Sequence, residues 1–85
     1  MKVTLEIPRY TPKKGLSFNL NTGATIESKL VGNEFVLELN QEGLISLATH
    51  LLSLAQDSVP SGYHIHYEDS TFLEEGSVCF VIEKK

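Results

Sequence analysis

Apolar and polar side chains alternate over the first seven residues: Val3, Leu5 and Ile7 fall on one side, Lys2, Thr4 and Glu6 on the other. A period of two predicts a half-buried strand over 2–7. Pro8 and Pro12 interrupt the pattern, and 8-PRYTPKKG-15 reads as a basic surface loop. Alternation resumes over 16–20, with Leu16, Phe18 and Leu20 inward. After the turn residues Asn21-Thr22-Gly23 it continues over 24–31, with Ile26 and Leu30 inward and Glu27 and Lys29 outward. Gly32-Asn33 is a two-residue hairpin signal, because both residues tolerate positive φ. The returning strand, 34–39, sets Phe35, Leu37 and Leu39 on one face.

The period changes at Asn40, a good helix N-cap, with Glu42 placed to favour the helix dipole. A helix is predicted over 41–57. Leu44, Leu47, Ala48, Leu51, Leu54 and Ala55 recur at the spacing of a core stripe, which leaves Ser46, His50, Ser53 and Asp57 toward solvent. Gly43 costs the first turn about 1 kcal/mol against alanine and weakens that end. Pro60-Ser61-Gly62 closes the segment. Residues 63–69 alternate strictly, with Tyr63, Ile65 and Tyr67 inward as core and His64, His66 and Glu68 on the open face. A loop over 70–76 leads to a last strand, 77–84, in which Val78, Phe80 and Ile82 oppose Cys79, Val81 and Glu83. Cys79 reads as a small buried or half-buried filler.

The resulting order is ββββαββ, an α+β fold of one small domain over 1–85, with a mainly antiparallel sheet of about six strands and one helix. Six strands span roughly 25 Å, and one helix of about 10 Å diameter cannot cover them. The sheet must curl, fold its first strands over, or bury the remainder in a partner or a homodimer.

Charge separates the halves of the chain. Net charge is −4, yet residues 1–33 hold Lys2, Arg9, Lys13, Lys14 and Lys29 against Glu6 and Glu27, whereas no Lys or Arg occurs from 30 to 83. That distribution excludes nucleic acid as the ligand, because phosphate binding needs clustered cations. An acidic half suits a basic protein partner, whose encounter it would steer. No apolar run is long enough to span a membrane, the amino terminus has no apolar signal core, and the single cysteine excludes an internal disulfide. These features point to the cytoplasm.

The chemistry concentrates in 63-YHIHYEDSTFLEEGS-77, where His64 and His66 precede Glu68, Asp69, Glu74 and Glu75. His-x-His on a strand is a familiar half of a metal site, and a metal-binding protein or metal-dependent enzyme built on it is one alternative. Metal sites want at least three protein ligands. His64, His66 and Glu68 lie in a line along one strand and converge poorly on an ion. No nucleophile elbow, phosphate loop, dinucleotide fingerprint or Cys-x-x-Cys pair is present. A non-enzymatic dimerisation module is a further alternative. The favoured expectation is a recognition surface without catalysis or cofactor, formed by His64, His66, Glu68, Asp69, Glu74 and Glu75, since loops concentrate binding residues.

The run 43-GLISLATHLLSLA-55 followed by 62-GYHIHYED-69 and 73-LEEGSVCFVIEK-84 resembles the immunity protein 32 family of bacterial polymorphic toxin systems. The likeness covers residues 40–84 and is carried by Gly43, Leu44, Leu47, His64, His66, Asp69, Leu73, Gly76 and Ser77. The resemblance implies a small cytosolic α+β protein that binds and blocks a cognate toxin, with no enzymatic activity and no cofactor. Many inhibited toxins are nucleases with basic clefts, which an acidic face would fill.

Overall fold

Strands β1 (Ile26–Val31) and β2 (Glu34–Leu39), helix α1 (Gln41–Leu54), and strands β3 (His64–Tyr67) and β4 (Phe80–Glu83) follow one another in a computed structural model of residues 1–85. The order is ββαββ. The expectation of about six strands in one sheet is thereby corrected: β1–β2 and β3–β4 are two separate two-stranded antiparallel sheets.

The two missing strands are 2–7 and 16–20. Their alternation holds in part: Leu5, Ile7, Leu16, Phe18 and Leu20 are half-buried, while Val3, expected inward, is exposed. Alternation sets which side chains turn inward, but a strand also needs an edge to pair with. Here side chains take the place of a ladder. Gln56 accepts from the Tyr10 N–H at 3.2 Å and donates to the Pro8 carbonyl at 2.8 Å. The Tyr63 hydroxyl accepts from the Leu16 N–H at 2.9 Å, and Ser46 Oγ from the Asn21 N–H at 2.8 Å.

The β1–β2 hairpin turns at Gly32-Asn33, with Ile26 opposite Leu39 and Val31 opposite Glu34. Only Gly32 takes a positive φ, at 61°, so the signs match a type II′ turn. Asn40 then anchors the helix start. Its Oδ1 accepts from the N–H groups of Gly43 at 2.8 Å and Thr25 at 3.0 Å, while its Nδ2 donates to the Gly23 carbonyl at 2.8 Å. One side chain thus caps α1 and ties it to the approach of β1. Gly43 is buried beneath the Thr25 carbonyl, where any Cβ would overlap the oxygen. The glycine is required by this crossing and is no weak point.

The facing of α1 is a second correction. Gly43, Ser46, His50, Ser53 and Leu54 are buried, whereas Leu44, Leu51 and Leu52 are exposed. Leucines occupy one half of this helix, and it is the opposite, polar half that turns inward. The partners of the polar residues decide it. Ser46 holds Asn21, Ser53 donates to the Thr49 carbonyl at 2.8 Å, and His50 is bonded at both ring nitrogens. Buried polar groups cost little when paired in this way.

Ile26, Leu54, Val59, Ile65, Tyr67 and Leu73 form the core. The Tyr67 ring stacks on Phe80 at 4.7 Å, and Phe80 meets Phe35 edge-on at 5.4 Å. The carboxy-terminal run joins the two sheets. Glu74 and Val78 donate their N–H groups to the carbonyls of Ile26 and Ser28, at 2.8 and 3.1 Å. The Ser28 hydroxyl donates in turn to the Val78 carbonyl, and Ser77 Oγ accepts from the Ser28 N–H at 3.2 Å. Residues 74–78 thus belong to β1 and 80–83 to β3, which shortens the expected strand 77–84. Cys79 sits at this changeover and is exposed, contrary to its expected role as core filler.

Candidate functional site

Residues 64–67 alternate between the two sides of β3, burying Ile65 and Tyr67 and exposing His64 and His66. The tyrosine side meets α1 through His50, so the two exposed histidines lie on the face turned away from the helix. Their rings touch edge-on at 4.9 Å. His64 Nδ1 donates to the Gly62 carbonyl at 2.9 Å, which in the neutral ring leaves Nε2 as the free acceptor. Glu83, opposite in the register, comes no closer to that Nδ1 than 3.9 Å. No three His, Cys, Asp or Glu side chains gather closely enough to hold a metal ion.

The four carboxylates fall on two successive turns. Glu68 is half-buried at the end of β3, and its carbonyl accepts from the N–H groups of Thr71, Phe72 and Leu73 at 3.1, 3.1 and 2.9 Å. That closes a tight turn, with Asp69 exposed at its tip and Leu73 inserted in the core. Glu74 and Glu75 occupy the next turn, closed by the Ser77 N–H to the Glu74 carbonyl at 3.1 Å and by Gly76 at φ 85°. The histidines share one face of β3, and Glu68 and Asp69 follow directly after the strand. Glu74 and Glu75 are exposed but fastened to β1 through the Glu74 N–H. None of the four carboxylates has a Lys or Arg nitrogen within 4.0 Å; Lys29–Glu38 is the lysine–carboxylate pair of the chain.

Two features of this region were absent from the sequence pattern. The first is an open strand edge. Lys84 donates to the Tyr63 carbonyl and accepts from the Gly62 N–H, each at 2.8 Å, a bulged bonded step at the end of the β3–β4 ladder. Antiparallel alternation then gives the backbone bonds to Ile65 and Tyr67 and turns those of His64 and His66 away from β4. The second is a groove of about 530 Å³ beside that edge, lined by Leu16, Phe18, Tyr63, His64, His66 and Phe72. It forms because 16–18 runs past β3 without pairing to it. Long-range links such as Leu16 to Tyr63 and Asn19 to His50 hold it in place, and no local periodicity reports such links.

No helix of the chain is long and apolar enough to cross a membrane. The family described as immunity protein 32 matches residues 34–85, which carry β2, α1, β3 and β4. No curated protein and no solved structure matches the chain.

Proposed function

The chain belongs to the immunity protein 32 family, and from that membership we propose that it binds and neutralises a cognate toxin through the acidic surface of residues 64–75. An immunity protein has a toxin as its partner and is not in general an enzyme. In this reading His64, His66, Glu68, Asp69, Glu74 and Glu75 face a basic surface of the toxin. Binding takes place in the cytoplasm, the compartment that a single unpaired cysteine suits.

The observation that carries the reading is the unpaired state of four carboxylates on adjacent turns, of which Asp69, Glu74 and Glu75 are exposed and Glu68 is half-buried. Charges already matched within the chain would have little to offer a partner. Unmatched ones project a field that steers a basic surface and add charge-assisted bonds on contact.

The test is co-expression with a toxic domain, sought first in the gene that neighbours the one encoding this chain. The chain itself is expected to restore growth. Its variant carrying Glu68→Lys, Asp69→Lys, Glu74→Lys and Glu75→Lys, with unchanged circular dichroism, is expected to lose that protection. Failure of the unaltered chain would sink the immunity reading with that toxin. Protection by the variant would sink the acidic surface alone.

A further inference from the structure

Helix α1 turns a polar face inward and an apolar face outward. Leu44, Leu51 and Leu52 are 56%, 45% and 49% exposed. Met1, Val3 and Leu5 of the amino-terminal segment border this face, and with Leu44, Ile45 and Ala48 they enclose an entirely apolar recess of about 350 Å³. Scattered exposed leucines need no explanation, but a contiguous apolar patch marks a contact surface. We infer that this outer face of α1 is the interface between two copies of the chain.

Area supports a covered face. A compact monomer of 9.4 kDa exposes about 5,000 Å² by the scaling of folded proteins. This chain exposes 6057 Å². The excess, about 1,000 Å², is close to the roughly 800 Å² that each partner contributes to a stable interface. Covering the face would return the chain to the exposure of an ordinary folded protein.

Charge selects a second copy as the occupant. Between Glu42 and Asp57 there is no charged residue. A basic toxin would find nothing there to pair with, and the proposed contacts His64 and His66 lie on the side of β3 turned away from α1. Two copies each carrying −4 repel over most of their surfaces but can meet across an uncharged one. Shape agrees. Leu44, Ala48 and Leu52 form one row at four-residue spacing, with the small Ala48 between two leucines. Such a row receives the equivalent row of another helix at a crossing of about −50°. The contact is isologous, so one patch serves both partners.

Light scattering during size exclusion, followed over a dilution series, tests this. The chain is expected at twice the monomer mass, with dissociation on dilution. The double variant Leu44→Glu, Leu52→Glu alters exposed side chains only, and is expected to run as a monomer with unchanged circular dichroism. A separate Ala48→Cys, Cys79→Ser variant is expected to form an intermolecular disulfide on mild oxidation, since the symmetry axis brings the two copies of residue 48 together. A monomeric chain at every concentration would overturn the inference. So would a dimer that persists in the glutamate variant.

Discussion

The hydroxyl of Tyr67 donates to Nδ1 of His50 at 2.8 Å, deep between α1 and β3. Nε2 of the same ring lies 2.8 Å from the Asn19 carbonyl, which can only accept. The proton therefore sits on Nε2 and the imidazole is neutral. One ring thus joins the amino-terminal segment, the helix and β3, with Phe18 and Phe72 packed against it at 5.3 and 5.2 Å.

Burial lowers the pKa of His50, against a smaller upward pull from the Asn19 carbonyl. The unfolded chain takes up a proton at this residue below the ordinary value of about 6.5; the folded chain resists it. The contribution to stability is complete above that pH and is lost as the pH falls toward the depressed folded value. Urea unfolding on the acid side of neutrality should show a falling midpoint. The exposed pair His64→Gln, His66→Gln should leave the trend in place, and its disappearance in that variant would assign the effect elsewhere.

Tyr67→Phe keeps the ring stacked on Phe80 and removes only the donor to His50. A buried acceptor without its partner costs about 1–3 kcal/mol, and the variant should lose that much stability at neutral pH. An unchanged unfolding midpoint would show that the hydroxyl adds nothing to the packed ring.

These two residues also show how far the pattern of the chain can be read. Tyr67 was legible as core because strand alternation is local, and the Gly32 hairpin and the helix start at Asn40 were legible for the same reason. His50 was placed on the wrong side. Its burial depends on Tyr67 and Asn19, 17 and 31 residues away, and nothing nearby in sequence announces them. The strands expected at 2–7 and 16–20 failed likewise, since pairing is a property of two segments. Of the candidate surface, the open face of His64 and His66 and the exposure of Asp69, Glu74 and Glu75 were readable, whereas Glu68 is half-buried. The groove beside β3 was not, because Leu16 and Phe18 reach it from the far end of the chain.

Gly43→Ala should be more damaging than helix propensity suggests. Alanine favours a helix, yet its methyl group would overlap the Thr25 carbonyl. Forcing the two backbones apart costs about 1–3 kcal/mol by the measure of overpacked cores. Thermal unfolding should therefore show a loss where an exposed helical glycine would show a gain of about 1 kcal/mol.

Ser28→Ala removes the hydroxyl that meets the Val78 carbonyl. A loss of about 1–3 kcal/mol is expected for the orphaned acceptor. Amide hydrogen exchange should quicken at Val78 more than within β3, since the two sheets part at this seam. Equal quickening everywhere would mean that Ser28 only supports global stability.

Within a toxin complex, Glu75→Gln should slow association more than it speeds dissociation and flatten the dependence on ionic strength, as for an exposed charge at a rim. A dominant change in dissociation would place Glu75 in the desolvated centre of the contact instead.

The family match begins at Glu34, the first residue of β2, and so divides the β1–β2 hairpin at its turn. The strand left outside is the one that supplies β2 with its ladder and receives Glu74 and Val78. The matched part of the chain is therefore narrower than the part that completes its sheets. Grafting residues 34–85 onto another protein would transplant an unfinished sheet, whose β2 must find a new partner strand.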